Sequence, residues 1–315
     1  MATSQLGSTC KSPIGEQLSI SKFAGFAMLA TVSVFALTGC AAGTPAAEET
    51  TAGTIAVDEA AAALLPAEFK DGVSVAADIP YAPMALFDEN DNPTGFDYDL
   101  SQAIGAKLGV KFSFEDQDWD GIIPSLQSGA HDIIISGMND TLERQEVLDF
   151  VDYFNAGFAV VVPAGNPEMI KTFADLCGKT VAIQTATTQI ELINAVNPSC
   201  SKKIEVLEFP TDGDAQNAIR AGKASAGVND GQVAAYTAQT AGEGKYFEVV
   251  VPTDAPEGYS SVLTGIGVLK KNADLTKAIQ AAVQSLIADG TYASILDKWN
   301  LGAFAVAEAT INGTK

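Results

Sequence analysis

The chain has 315 residues, 47% of them apolar, with 39 Asp and Glu against 18 Lys and Arg and a net charge of −21. That balance excludes a nucleic-acid-binding face, which needs clustered cations. The length exceeds what one hydrophobic core usually accommodates (about 250 residues), so two domains or lobes are expected.

The first predicted element is not part of the fold. Lys11 and Lys22 precede an apolar run, Phe23–Leu37, too short and too rich in small residues to span a membrane well. It reads as the core of a signal peptide over 1–39. The run ends in Leu37-Thr38-Gly39-Cys40, which resembles the lipobox of bacterial lipoproteins and makes Cys40 the expected lipidated first residue of the mature chain. Several acyl chains there would hold the protein stably at a cell membrane, outside the cytoplasm. Residues 40–64 are small and polar at first and are expected to form a tether, with a short helix possible within Asp58–Phe69, before Pro66.

From Val73 onward, strand and helix patterns alternate. Strands are predicted at 73–77, 111–115, 132–136, 158–163, 180–184, 204–209, 225–229 and 264–270. Helices are predicted at 96–109, 121–129, 188–196, 214–222, 231–241, 272–289 and 291–299. Strands separated by helices of this length imply parallel sheets covered on both faces, an α/β architecture. Ligands in such folds bind beyond the carboxyl ends of the strands. Cys10 lies in the signal peptide and Cys40 is the anchor. That leaves Cys177 and Cys200 in an exported chain, where a disulfide worth roughly 3 kcal/mol is expected, the alternative being two buried thiols.

The strand ends carry a distinctive set. Asp78 and Tyr81 follow the first strand, and Trp119 precedes the short helix at Gly121. Ser136, Gly137, Asn139 and Arg144 follow the third strand, Gln184, Thr187 and Thr188 a fifth, and Asn229 and Asp230 a later one. Arg144 is one of only two arginines. One guanidinium, one carboxylate, helix N-termini and aromatic faces suit a zwitterion: the carboxylate goes to Arg144, the ammonium to Asp230, and rings flank the side chain.

Five segments together resemble the extracytoplasmic solute-binding proteins of the polar amino-acid ABC-transporter family. They are Tyr81–Met84 (YAPM), Gly95–Leu100 (GFDYDL), Trp119–Gly129 (WDGIIPSLQSG), Ser136–Phe150 (SGMNDTLERQEVLDF) and Asp289–Trp299 (DGTYASILDKW). The resemblance covers about Leu65–Leu301. It implies a two-lobed periplasmic-binding-protein-like fold of type II, with two parallel-type sheets joined by hinge crossover strands. Lobe 1 would comprise 65–160 and 256–301, lobe 2 would comprise 161–255, and 302–315 would be a C-terminal tail. It implies that Arg144 clamps the ligand's α-carboxylate, Asp230 takes the α-ammonium, and Gly137 and Asn139 contact the ligand from their loop. Tyr81 and Trp119 would flank the side chain, with Asp78 and Gln184 helping to choose it. The partners implied are a small amino acid and the membrane subunits of an ABC permease, with the protein a monomer and no cofactor or metal.

Two positions depart from the family pattern. Ala186 stands where glycine is usual, which puts the backbone approach at Thr187–Thr188 in question. Residues 149–156 lack the usual Ser and Pro before the hinge. Asp97 and Asp99 read as helix-start and interlobe residues, and His131 as an exposed residue. Arg144 could instead form a surface pair with Glu143 or Asp149, and Asp230 could cap the following helix. With one histidine and no spare thiol, no catalytic set stands out. The chief rival is an enzyme on the same fold, of the cyclohexadienyl dehydratase kind. The ligand expected is a polar amino acid, neutral or basic, because no second cation falls at a matched position.

Overall fold

The computed structural model describes residues 55–255 and 258–315. The expected signal peptide, with Cys10, the expected anchor Cys40 and the expected tether up to 54 lie outside the described residues, as does the expected lobe boundary at Pro256. Among the described residues, no helix is long and apolar enough to cross a membrane.

Lobe 1 is built on β1 (Val73–Ala77), β4 (Phe112–Asp116) and β5 (Ile133–Ile134), with a two-residue hairpin of β2 (Leu86–Phe87) and β3 (Pro93–Thr94) in between. Strand β1 lies between β4 and β5, parallel to both. Lobe 2 repeats that order with β7 (Thr180–Gln184) between β8 (Glu205–Phe209) and β9 (Ala226–Asp230), again parallel. Two long strands serve both lobes: β6 (Leu148–Pro163) and β11 (Tyr259–Leu269) run antiparallel to each other. Strand β6 pairs with β9 and with β10 (Phe247–Val250) in lobe 2. Strands β6 and β11 are the expected crossover strands, and they join the sheets of the two lobes into one hydrogen-bonded path, β4-β1-β5-β11-β6-β9-β7-β8. Sixteen extended residues span about 50 Å, enough for β6 to pass from one lobe to the other.

The helices cover both faces. Helix α2 (Phe96–Leu108), α7 (Ala273–Ala288) and α8 (Thr291–Lys298) lie on one side of lobe 1, and α3 (Ile122–Ser128) on the other. Alternation in the strands feeds both sides, with Val75 and Ile133 packed toward α2 and α7, and Ala76 and Ile134 toward α3. Leu275, Ile279, Val283 and Leu286 repeat on one face of α7 and are fully buried. Each such side chain contributes roughly 1.5–3 kcal/mol by leaving water. In lobe 2, α4 (Gln189–Val196) packs on one face of the sheet, and α5 (Asp212–Arg220) and α6 (Gly231–Thr240) on the other. Cys177 and Cys200 are bridged, with their Cα atoms 5.4 Å apart.

Several expectations are corrected. The short helix expected before Pro66 is α1 (Glu59–Leu64), which Asp58 caps by accepting from the Ala60 and Ala61 amides, but residues 55–64 are part of lobe 1 and not of a tether. Ala61 and Leu65 are buried in the lobe 1 core, and α1 packs on α2 and α7. His131 is buried, and its Nδ1 lies 3.1 Å from Ser125 Oγ. Asp97 and Asp99 bond within lobe 1 and not between lobes. Asp99 accepts from Lys298 and Trp299. The segment 302–315 is bonded into lobe 1 through Val151, Asp152 and Asp140.

Candidate functional site between the lobes

In each lobe the strand order reverses beside the central strand, between β1 and β5 and between β7 and β9. Ligands bind at such switch points because the loops there part and leave a crevice. Here the two switch points face each other. Asp78 follows β1, Ser136 to Asn139 follow β5, Gln184 ends β7 and Asp230 ends β9. Thr187 and Thr188 lead into α4, and Trp119 leads into α3.

A small chamber is lined by Asp78, Tyr81, Trp119, Gly137, Asn139, Gln184, Thr187, Thr188, Gln189 and Asp230. A wider opening of about 370 Å³ adjoins it, lined by Arg144 together with Trp119, Thr187, Thr188 and Glu191. Of the strand-end set, Ser136 and Asn229 line neither, and Asn229 donates to Asp212. Ser136 lies behind the chamber. Its Oγ accepts the Asp78 amide at 2.8 Å and so fixes the turn behind the site.

The lobes exchange hydrogen bonds across this chamber. Tyr81 Oη donates to Asp230 Oδ2 at 2.7 Å, Gln184 Nε2 to Asp78 Oδ2 at 2.7 Å, and Thr188 Oγ1 to Asn139 Oδ1 at 2.5 Å. Trp119 Nε1 donates to the Ala186 carbonyl at 3.1 Å, and Arg144 Nη2 reaches the same carbonyl at 3.4 Å. Arg144 Nη1 donates to the Asn139 carbonyl at 2.9 Å, and the guanidinium lies 5.4 Å from the Trp119 ring centre. Among the described residues no ion pair holds Arg144, and Asp149 pairs with Lys270 instead. Asp230 heads α6, but its side chain accepts no capping bond from that helix.

Electrostatics follow from burial. Asp230 is pushed up to about 6 by burial, with the Tyr81 hydrogen bond and the Arg144 charge acting against it. Burial raises Asp78 to about 6 as well, Gln184 lowers it, and the nearby Asp116 and Asp118 add to the rise. Burial pulls the Arg144 guanidinium below its ordinary value, opposed by Asp230 and Glu191.

Gly137 takes φ +56°, and a Cβ there would stand 3.0 Å from the Tyr81 ring. Its amide donates to Asp97 Oδ2 at 2.7 Å, and Tyr153 Oη donates to Asp97 Oδ1 at 2.7 Å. Asp97 thus anchors the Gly137 loop from beneath. Ala186 adopts φ +55°, the left-handed conformation that glycine would take more easily.

Three residues of the site escape sequence reasoning. Gln189 Nε2 donates to Asp230 Oδ1 at 3.3 Å, and its place directly after Thr187–Thr188 was the available signal. Asp212 is buried at the start of α5, where Asn229 and Gln216 donate to it. Asp97 looked like an ordinary helix-start acid.

A family profile described as bacterial extracellular solute-binding proteins, family 3, matches residues 73–302. The chain belongs to this family. It is 32% identical over 247 residues to the arginine-binding protein ArgT of Corynebacterium glutamicum, covering 76% of this chain and 78% of that one. Solved structures of an ancestral arginine-binding protein, bound to arginine and bound to glutamine, are each 38% identical with TM-score 0.65. They cover 72% and 73% of this chain, and 97% of that chain in both cases. An ancestral amino acid-binding protein, a precursor of cyclohexadienyl dehydratase, is 33% identical with TM-score 0.64, covering 72% of this chain and 94% of that one. The two-lobed amino-acid-binding fold is thus shared with these proteins.

Proposed function

We propose that the chain is the lipid-anchored, substrate-binding component of an ABC importer, and that its ligand is a basic amino acid held between the lobes. The observation that carries this reading is the charge balance of the cleft. Asp78 and Asp230 are buried in the chamber, and Asp212 is buried close enough to raise both. Among the described residues lining the chamber and its opening, Arg144 is the only cation.

Unpaired buried charge is costly. A zwitterion offsets Arg144 with its carboxylate and Asp230 with its ammonium. Asp78 then remains for a cationic side chain, with Asp212 adding negative potential from outside the chamber lining and Tyr81 and Trp119 as flanking faces. The relatives named for arginine binding support the same direction. A ligand that touches both lobes favours their closure only by its differential affinity for the closed form. The permease would then read that closed form.

Capture without turnover is part of the proposal. The acids lining the chamber are Asp78 and Asp230, and both accept hydrogen bonds from protein side chains. No prephenate or arogenate consumption is expected.

A thermal-shift screen of the twenty amino acids and ornithine tests the ligand class. A ligand at about 100 times its Kd adds about 2.7 kcal/mol. The largest shift should come from arginine, lysine or ornithine, and a largest shift from an acidic or aliphatic amino acid would refute the reading. The anchor is tested by Cys40→Ala, which should release the protein from the membrane fraction. Retention there would remove Cys40 from the account.

A further inference from the structure

The family profile ends at residue 302, yet the segment beyond it is bonded to the ligand-binding loop. We propose that residues 310–314 position this loop, with Asp140 and Gln145 as the residues through which they act. This rests on the reading of Asn139 and Arg144 as ligand-binding residues.

The segment is fixed at its near end by α7. Gln284 accepts the Ala309 amide at 3.1 Å, and Gln280 Nε2 donates to the Ala309 carbonyl at 2.9 Å. It then runs antiparallel along the lobe 1 half of β6. Ile311 bridges Val151, the Asp152 amide donates to the Thr310 carbonyl at 2.9 Å, and the Asn312 amide donates to the Phe150 carbonyl at 3.0 Å. That half of β6 pairs with β11 on one edge, while β9 takes the other edge only from Phe158 onward. The segment therefore covers an edge of β6 whose amides and carbonyls need partners.

Its far end reaches the site loop. The Thr314 amide donates to Asp140 Oδ2 at 3.0 Å, while Gln145 Nε2 donates to Asp140 Oδ1 at 2.7 Å and to the Thr314 carbonyl at 3.1 Å. Asp140 is fully buried. Asp140 directly follows Asn139, and Gln145 directly follows Arg144. The segment thus ties together the two positions adjoining the residues assigned to the ligand. Asp152 adds a second tie, with Oδ2 accepting from Thr310 Oγ1 at 2.7 Å and from the Gly313 amide at 2.9 Å. Held from both sides, Asn139 and Arg144 meet the ligand without first ordering their loop, and that preorganisation shows as affinity.

Titration calorimetry with L-arginine as probe separates positioning from simple stabilisation. The full chain is compared with deletion of 310–315 and with Thr314→Pro, Thr314→Ala and Asp140→Ala, all well below their melting temperatures. Deletion, Thr314→Pro and Asp140→Ala should each raise Kd about fivefold or more, since small misplacements of binding groups are expensive. Thr314→Ala should stay within about twofold, because both Thr314 contacts are main-chain. Asp140→Ala combined with Thr314→Pro should cost little more than either alone. A lowered Tm with unchanged Kd in the deletion would overturn the proposal. So would an unchanged Kd in Thr314→Pro, which decides the matter if the deletion does not fold. If the unaltered chain does not bind L-arginine, the ligand reading fails separately, and the tightest amino acid of the screen serves as probe for the same comparison.

Discussion

Tyr81 Oη donates to Asp230 Oδ2 at 2.7 Å, and the two residues stand on opposite lobes. The bond aims the Asp230 carboxylate into the chamber, with Gln189 holding its other oxygen. Burial keeps that carboxyl near 6, so its charge is set by pH within an accessible range.

Opposite pH trends for binding and stability follow. With the proposed role of Asp230, the ligand's ammonium needs the ionised carboxylate, so affinity should rise from pH 5 to pH 8, by up to about tenfold per unit below about 6 for one displaced proton. Stability without ligand runs the other way. Asp97 is raised to about 7, and Asp78, Asp152, Asp212 and Asp230 to about 6, chiefly by burial. Each binds its proton more tightly in the fold than in the unfolded chain. Their contribution is full below the ordinary value of 3.8 and is lost as pH rises through 6 to 7. Exposed acids with lowered values, such as Asp88 and Asp175, act only below that window. Tm of the ligand-free protein should therefore be higher at pH 5 than at pH 8, and a pH-independent Kd over that range would refute the role given to Asp230.

Replacing Arg144 by alanine should abolish useful binding while the fold survives. Removing one member of a desolvated charge pair costs roughly 3 kcal/mol or more, over a hundredfold in Kd. The guanidinium's protein partners are two main-chain carbonyls and the Trp119 face, so the melting temperature should change little. Unchanged affinity with a normal melting curve would return Arg144 to the surface.

Ala186→Gly should stabilise the protein. A non-glycine residue in the left-handed region costs about 1–2 kcal/mol, part of which glycine gives back through its greater freedom when unfolded. The expected net gain is about 0.5–1 kcal/mol by urea unfolding. A loss of stability would mean that the Ala186 methyl group makes packing contacts that outweigh its strain.

What the sequence could show depended on length and pattern. Long periodic elements such as α7 were plain because Leu275, Ile279, Val283 and Leu286 repeat at helical spacing. Strands β1 and β7 were plain because apolar runs end in polar loops. The β2–β3 hairpin was hidden, since two-residue strands carry no periodicity. Strand β10 and the first half of β11 were also missed, because Glu248, Ser260 and Ser261 interrupt their apolar pattern. The crossover strands were legible only through the family resemblance, because nothing local to 148–163 says that one strand serves both lobes. Within the site, residues at strand ends were legible as a class. Asp212 was not, because its contribution is electrostatic and depends on α5 and β9 meeting in space. The contacts of 310–314 with Asp140 and Gln145 lie about 170 residues apart in sequence, and no pattern in either segment announces them.

The most direct test of the central claim is calorimetric titration of the full chain at pH 7.5 with L-arginine, L-lysine, L-glutamine and L-glutamate. The account predicts that a cationic amino acid binds tightest, that glutamine binds more weakly, and that glutamate does not bind, because Arg144 is the single cation lining the cleft among the described residues. Tightest binding by glutamate would contradict it, since Asp78 and Asp230, with the buried charge of Asp212 nearby, would then face a second carboxylate with nothing to offset it.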